Sequence, residues 1–242
     1  MRPSAARRAP AARRGVGGDP VSERLGNTGL ASERVRERMV ERVRELGVRD
    51  ARVLGALAEV PRHAFLEPAL ASRAYEDTPL PIGHGQTISQ PYIVARTAEL
   101  ALAGCVDPKS AKVLEVGTGC GYAAAVLARL FGTVVSIERV RALHELARNN
   151  LRPMRIANLR LVYGDGFDGV PAEAPFDAIT AAAAGEELPP AWIEQLKPGG
   201  RIVAPLGSSE QRMTVICKDD AGRVSRRTVE AVRFVPLRTG KT

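Results

Sequence analysis

Three glycines, at positions 117, 119 and 121, follow a short apolar run that contains one acidic residue, Glu115. Glycines let a backbone turn sharply and approach a ligand where a Cβ would collide. A dinucleotide fingerprint, Gly-x-Gly-x-x-Gly, would place its third glycine one residue later, where Tyr122 stands. A carboxylate before the turn would repel a pyrophosphate but suits a cationic ligand. The pattern therefore favours S-adenosylmethionine, which carries a sulfonium, an ammonium and no phosphate, over NAD, although an ordinary strand–turn–helix corner also fits it.

Two further acidic residues follow predicted strands. Glu138 ends the apolar segment 134–137 and lies 21 residues after Gly117, close to the spacing at which a carboxylate holds ribose hydroxyls. Asp165 lies between two glycines after the segment 159–163, where ligands of open α/β sheets meet the carboxyl ends of strands. The sequence predicts that Glu138 binds the ribose and Asp165 the adenine. A surface glutamate and a plain Asp-Gly turn are the alternatives.

The stretch 75–92 is unlike the rest of the chain, because it contains three prolines, two glycines and several small polar residues. Pro91 is pre-organised for the first position of a helix. Ser89 would then lie at a helix N-terminus, where free N–H groups and the helix dipole favour an anion such as a carboxylate. Serine is also a common N-cap, and composition alone does not decide between capping and catalysis.

The alternation of strands and helices predicts an α/β, Rossmann-like, doubly wound and mostly parallel seven-stranded sheet with an N-terminal helical extension. Ser32 is expected to cap a first helix over 32–46, and Asp50 a second one through Glu59. Residues 197–200 are expected to form a turn. The predicted strands are 113–116, 134–138, 159–163, 176–180, 201–206 and an antiparallel pair near 212–218 and 224–235; further helices are expected after Pro91 and over 122–131, 140–150 and 188–196.

The chain has 242 residues, a net charge of +8 and a pI near 9.9, which permits an acidic substrate or a nucleic acid. Five arginines precede the first acidic residue, Asp19, so residues 1–31 are predicted to be a disordered basic extension. An organelle transit peptide or a misassigned start are the alternatives. Residues 32–242 are expected to form one domain, with a helical part (32–105) that contains the loop 75–92 and a Rossmann-like core (106–242).

Three cysteines, at 105, 120 and 217, are far apart and form no C-x-x-C pair or metal-ligand spacing. A reducing cytoplasm is the simplest setting, and no bound metal is expected. No apolar run has the length of a membrane span, so no membrane association is expected either.

The chain resembles the protein-L-isoaspartate O-methyltransferase family over about residues 33–238. The resemblance is carried by PLPIGHGQTISQPY at 79–92, which generic methyltransferases lack, and by VLEVGTGCGY at 113–122. The segments 164–166, 196–200 and 232–237 support it. It implies a class I S-adenosylmethionine-dependent methyltransferase fold and a cytosolic monomer. It also implies methylation of the free α-carboxylate of L-isoaspartyl residues in damaged proteins, which begins their repair through a succinimide.

The same resemblance assigns roles to individual residues. Ser89 would be the active-site serine. The implied cofactor-binding residues are Thr87, Ile88, Ser89, Glu115, Gly117, Thr118, Gly119, Gly121, Glu138, Arg139, Asp165 and Gly166. The implied substrate-binding residues are Ile82, Gly83, His84, Thr87, Ser89, Phe234 and Val235. The chain departs from the family at Cys120, where serine is usual, and at 180–184, where a β-branched strand leading to a threonine is usual.

Three other functions are alternatives to this one. An RNA methyltransferase on the same fold suits the basic charge, but the Asp/Asn-Pro-Pro-aromatic motif of base amino-methylation is missing after the fourth predicted strand, where the chain reads Leu188-Pro189-Pro190-Ala191. Nucleic acid is therefore an unlikely partner. The glycine spacing disfavours an NAD-dependent oxidoreductase. Intact Glu115 and Ser89 argue against a binding module that has lost its activity.

Overall fold

The computed structural model describes residues 29–242, with side chains from Glu33 onward. Most of the predicted basic extension lies outside the described residues. The helices are α1 (Gly29–Glu45), α2 (Ala51–Glu59), α3 (Pro91–Leu102), α4 (Tyr122–Leu130), α5 (Arg141–Leu151) and α6 (Pro190–Gln195). The strands are β1 (Leu80–Gly83), β2 (Gln86–Ile88), β3 (Lys112–Val116), β4 (Thr133–Glu138), β5 (Leu159–Tyr163), β6 (Phe176–Ala181), β7 (Leu196–Leu206), β8 (Gln211–Lys218) and β9 (Val224–Val232).

The first two helices test the capping predictions. Helix α1 begins at Gly29, so Ser32 lies inside it and the prediction that Ser32 is the N-cap is wrong. The residues from Gly29 to Ser32 include no proline, and nothing in their types stops the helix from starting earlier. Asp50 does cap α2, since its carboxylate accepts the N–H of Arg52 at 2.9 Å.

The main sheet has seven strands in the order β5-β4-β3-β6-β7-β8-β9. The first five strands in this order are parallel to one another. Strands β8 and β9 form the predicted antiparallel hairpin at the edge. Val113, Leu114, Val134 and Val135 have no exposed surface, as expected of parallel strands covered on both faces. The strand order reverses at β3, so the crevice for a ligand lies between the carboxyl ends of β3 and β6.

The turn predicted at 197–200 is absorbed into β7. Pairing between β6 and β7 passes from Phe176–Leu196 directly to Ala178–Arg201, so the residues between bulge out of the ladder. Gly199 has a φ of +76°, which glycine adopts without strain. The prediction of a separate turn before the strand is therefore wrong. Gly199 nevertheless adopts the positive φ that a turn at this position would require.

The segment 75–92 contains a hairpin that the sequence did not predict. Strands β1 and β2 are antiparallel, with Leu80 opposite Ile88 and a tip at His84 and Gly85, both of positive φ. The prolines in this segment conceal the strand pattern, because proline is accepted only where no ladder N–H is needed. The apolar side chains of Leu80, Ile82 and Ile88 are buried, which fixes the hairpin against the core.

No helix within residues 29–242 is both long enough and apolar enough to cross a membrane.

Candidate active site

The glycine turn after β3 is held to the end of β4. The N–H of Gly117 donates to the carbonyl of Ile137 at 2.9 Å, and Gly117 has a φ of +94°. Gly121 has a φ of +92°, and a Cβ on it would lie 2.8 Å from Cδ1 of Leu151. Positive φ favours glycine at both positions, and close packing also excludes a Cβ at Gly121. The turn thereby leaves open space above the end of β3.

Glu138 closes this turn from the end of β4. Its carboxylate accepts the N–H of Gly119 and the N–H of Val140, both at 2.9 Å, and its side chain is buried. Each carboxylate oxygen retains a lone pair after these bonds. Glu138 also lies in the wall of a cavity, named here the cofactor cavity, with Gly117, Gly119 and Arg139. The predicted ribose acceptor is therefore fixed in orientation and faces the space in which a ribose would bind.

We expect Glu138→Ala to weaken binding of S-adenosylmethionine by about 1–3 kcal/mol, because the ribose hydroxyls and the Gly119 N–H would lose their acceptor. Isothermal titration calorimetry measures this change. Glu145→Ala, which removes an exposed carboxylate from α5, is the matched control and should bind as the wild type does. An unchanged affinity in Glu138→Ala would remove this residue from the site.

Glu115 is a buried carboxyl group with one unsatisfied oxygen. The hydroxyl of Ser136 donates to its Oε2 at 2.5 Å and is itself 2.6 Å from the hydroxyl of Thr118. Its Oε1 forms no hydrogen bond with any residue from 33 to 242. Burial raises the pKa of the Glu115 carboxyl to about 8. A buried acceptor of this kind is what a cationic ligand group would satisfy, so the residues present fit the ammonium of S-adenosylmethionine.

Ser89 and Glu115 share a second cavity, named here the Ser89 cavity. Its wall also includes Ile93, Thr180 and Phe234. Ala182, which follows β6 at the switch point, lies in the walls of both cavities. Two residues that are 26 positions apart in sequence therefore face one largely apolar space beside the cofactor cavity.

The hydroxyl of Ser89 is not used as a helix cap. Gln90 occupies the N-cap position of α3, and neither side chain caps it. The carboxylate of Asp77 performs this role instead, accepting the N–H of Tyr92 at 2.8 Å and the side-chain amide of Gln90 at 3.5 Å. Within the described part of the chain Ser89 has no side-chain hydrogen bond, so the capping alternative is wrong and the catalytic role of this serine stays a prediction.

Asp77→Ala should lower the free energy of unfolding by about 1 kcal/mol, the usual cost of losing a helix cap. For a domain of this size the melting temperature should fall by about 2–4 °C. Because the Asp77 carboxylate fixes the turn that carries Ser89, kcat should fall as well. Asp77→Asn keeps an acceptor oxygen and should retain most of both properties. Equal stability of Asp77→Ala and the wild type would show that this bond is not a functional cap.

The predicted adenine residue is engaged by the C-terminal segment 239–242. The carboxylate of Asp165 accepts the N–H of Phe167 at 2.9 Å and the N–H of Gly240. Arg139 donates to the carbonyl of Gly240 at 2.7 Å and to that of Thr239 at 3.3 Å. The segment thus connects the ends of β4 and β5 at the edge of the cofactor cavity. A contact between residues about 100 positions apart leaves no local sequence signal.

The family model for protein-L-isoaspartate(D-aspartate) O-methyltransferase (PCMT) matches residues 33–242 of this chain. The chain belongs to this family. Protein-L-isoaspartate O-methyltransferase from Bordetella parapertussis is 56% identical over 222 residues, which cover 91% of this chain and 85% of that protein. The protein of the same name from Burkholderia mallei is 53% identical over 243 residues, covering 98% of this chain and 74% of that one.

Solved structures agree with this family membership. A structure named protein-L-isoaspartate O-methyltransferase superposes with a TM-score of 0.73 at 33% identity, covering 83% of this chain and 65% of that one. A second, from Plasmodium falciparum in complex with S-adenosyl-L-homocysteine, superposes with a TM-score of 0.74 and covers 84% of this chain and 98% of that one. At 24% identity the second structure supports the fold alone.

The structure separates the family's predicted site residues into two groups. Those in cavity walls are Ile82, Thr87, Ser89, Glu115, Gly117, Gly119, Glu138, Arg139, Gly166, Phe234 and Val235. Gly83 and His84 are instead exposed at the hairpin tip, outside these walls, because the chain reverses there. Ile88, Thr118 and Gly121 are buried and do not line these cavities, and Asp165 binds the C-terminal segment. The roles assigned to all of these residues stay predictions.

Sequence reasoning did not single out several residues of these walls. Most of them are small or apolar, and they come from the ends of β3, β4 and β6 and from the segment 235–237: Val116, Ile137, Ala182, Ala183, Pro236 and Leu237. Asp77 and Arg233 are two of the polar residues to which it gave no role. The only signal was position, since Asp77 lies within 75–92 and Arg233 within 232–237. Among residues 29–242 no cluster of three or more His, Cys, Asp or Glu side chains is placed to hold a metal ion.

Proposed function

We propose that this protein transfers the methyl group of S-adenosylmethionine to the free α-carboxylate of L-isoaspartyl residues in damaged proteins, and so begins their repair through a succinimide. The observation that carries the proposal is the shared cavity of Ser89 and Glu115, in a chain that belongs to the protein-L-isoaspartate O-methyltransferase family. Fold alone would not assign a reaction, because many chemistries occur on this sheet architecture.

Different residues around the two cavities would bind different parts of the methyl donor, S-adenosylmethionine. Glu115 would bind the ammonium group, the glycine turn would lie against the methionine part, and Glu138 would bind the ribose. Asp165 and Arg139 would border the adenine. When bound, S-adenosylmethionine supplies an electrophilic methyl group on a positively charged sulfur. Each of these assignments follows the charge and hydrogen-bonding capacity of the side chain concerned.

Ser89 suits a reaction that needs orientation more than proton transfer. The substrate carboxylate is ionised at neutral pH, so no strong general base is required. The hydroxyl of Ser89 would donate a hydrogen bond to one carboxylate oxygen and aim the other at the methyl group. The N-terminus of α3 adds the positive end of a helix dipole. Ile93, Val94 and Phe234 line the cavity with apolar surface, which removes water from the carboxylate.

The product explains why one enzyme is sufficient to begin the repair. Methylation turns a poor leaving group into an ester, and the neighbouring backbone nitrogen can then displace methanol to form a succinimide without help from the protein. Hydrolysis of the succinimide returns part of the chain to normal aspartate. No residue of the site is needed for these later steps.

The proposal also includes the cell compartment and the oligomeric state, a monomer in the cytoplasm. A cytoplasmic monomer suits a repair enzyme that must receive many different damaged chains in an open groove, and the absence of cysteine pairs is consistent with a reducing compartment. Light scattering of the purified chain at several concentrations tests the monomer, and a mass that rises with concentration would contradict it. RNA methylation is not favoured by any contact in the described site.

The assay for this proposal uses S-adenosylmethionine labelled on its methyl group and two peptides that differ only in L-isoaspartate or L-aspartate at one position. Base-labile label should enter the isoaspartyl peptide alone. Label in neither peptide, with donor binding intact, would contradict the proposed substrate. A salt-sensitive gel shift with RNA that survives removal of residues 1–31 would then point to the alternative acceptor.

A further inference from the structure

An open groove leads from the protein surface to the Ser89 cavity. One side is formed by Pro79, Thr87, Gln90, Tyr92 and Ile93, and the other by the segment 230–235. A smaller space that includes Ser89 shares most of these residues. This groove, named here the peptide groove, is the open approach that a polypeptide substrate would use.

The carboxylate of Glu230 in the peptide groove is already held by two donors. The hydroxyl of Tyr92 donates to its Oε2 at 2.9 Å, and Nε of Arg96 lies 3.3 Å from its Oε1, while Nη1 of Arg96 also donates to Glu99 at 2.6 Å. Burial, reinforced by the bond to Glu230, raises the pKa of Tyr92 to about 12, so its hydroxyl stays protonated and keeps donating at neutral pH. Glu230 is therefore fixed toward Tyr92 and Arg96.

The arginine of the same groove, Arg233, is not held in this way by any residue from 33 to 242. Arg233 is exposed, and it lies in the walls of both the peptide groove and the smaller space beside Ser89. Across residues 33–242 its side chain takes part in no salt bridge and no hydrogen bond. A guanidinium presents a planar fork of donors that matches a carboxylate.

We propose that Arg233 distinguishes the substrate of the reaction from its product. It attracts the isoaspartyl carboxylate into the peptide groove and does not retain the methyl ester. The inference rests on the proposed function, because it is the reaction that converts an anion into a neutral ester. The carboxylate that enters is attracted by the free guanidinium, whereas the ester that leaves is not. Because Arg233 is exposed, this attraction should act on KM and should weaken as salt rises, while Ser89 governs the chemical step.

The test compares the wild type with Arg233→Gln, Arg233→Lys and Arg227→Gln, in which an exposed arginine of β9 outside the groove is changed. With an isoaspartyl peptide at low salt, Arg233→Gln should raise KM about 2–5-fold and leave kcat within about 1.5-fold, since one exposed charge contact is lost. Arg233→Lys should stay near the wild type, and Arg227→Gln should match it. The increase of KM with salt should be smaller in Arg233→Gln.

Direct binding separates this inference from the proposed function. The probes are the isoaspartyl peptide and its synthetic α-methyl ester, each titrated into protein saturated with S-adenosylhomocysteine. The wild type should bind the acid more tightly than the ester, and this preference should be smaller in Arg233→Gln, where only Ser89 and the N-terminus of α3 remain to favour the anion. Equal acid and ester affinities in the wild type, or an undiminished acid preference in Arg233→Gln, would overturn the inference. Failure of the wild type to methylate the peptide would instead overturn the proposed function, while these titrations still decide the role of Arg233.

Discussion

Replacing Ser89 by alanine is expected to lower kcat about 100-fold and to leave the affinity for S-adenosylmethionine within about twofold. The hydroxyl forms no hydrogen bond with the described residues, so its removal leaves no unsatisfied group behind. What is lost is the contact that would hold one substrate oxygen in line with the methyl group. Steady-state kinetics with an isoaspartyl peptide measure kcat, and calorimetry measures donor binding.

A control is available on the edge strand of the main sheet. Ser225→Ala removes an exposed hydroxyl from β9, away from the cavities, and should leave both quantities unchanged. If Ser89→Ala lost donor binding as strongly as activity, the serine would be part of the donor site instead of an orienting group. If kcat stayed at the wild-type value, the assignment of Ser89 to the chemical step would be wrong.

Glu115→Gln should weaken binding of S-adenosylmethionine about 100-fold, which corresponds to roughly 3 kcal/mol. The amide has the size of the carboxylate but no charge, so the ammonium of the donor would lose its buried counter-ion. Calorimetry with S-adenosylmethionine measures the change. At neutral pH Glu115→Gln should melt at or above the wild-type temperature, because Ser136 can still donate to the amide oxygen and the amide does not ionise in the unfolded chain. Equal donor affinity in the two proteins would exclude Glu115 as the ammonium partner.

The pKa of Glu115 adds a pH signature to this prediction. Burial raises the folded-state pKa from 4.5 to about 8, so the carboxyl contributes stability that is fully present below about pH 4.5. That contribution is lost as the pH rises through about 8, and Glu115→Gln should lack this decline. A bound cation favours the ionised carboxylate, so donor binding near pH 7 should release a proton in the wild type.

The proton release is measurable by calorimetry in two buffers of different ionisation enthalpy. The heat of binding should depend on the buffer more strongly in the wild type than in Glu115→Gln. An α-amino group has a pKa of about 7.7–8 and is already mostly protonated at pH 7, so the titration of Glu115 should account for most of the difference between the two proteins. The same buffer dependence in both proteins would show that Glu115 does not change its protonation when the donor binds.

The parts of the site that could be predicted from the sequence are those fixed by neighbouring residues. Strand β3, the glycine turn and α4 follow one another within about 20 positions, and each has a local pattern of apolar periodicity or glycine. Glu138 was predicted from its spacing because a βαβ unit has a nearly constant length. Asp50 was predicted as a cap because its signal is local as well: a cap acts within two or three residues.

The parts that could not be predicted depend on contacts between distant segments. The cap of α3 comes from Asp77, which is 15 residues from the N–H that it accepts. Asp165 is satisfied by Gly240, and the two are 75 residues apart. The bulge in β7 is determined by its pairing with β6, which the local glycine pair does not specify. Arg233 matters only because the fold places the segment 230–235 beside Ser89.

Locating the methyl group on the product tests the central claim most directly. An isoaspartyl peptide that also contains a normal aspartate and a glutamate would be incubated with the protein and S-adenosylmethionine and examined by tandem mass spectrometry. A methyl ester on the isoaspartyl α-carboxylate alone, followed by loss of methanol to the succinimide, is the predicted result. A methyl group on the aspartate, the glutamate or a side-chain nitrogen, with the isoaspartyl carboxylate unmodified, would contradict the account.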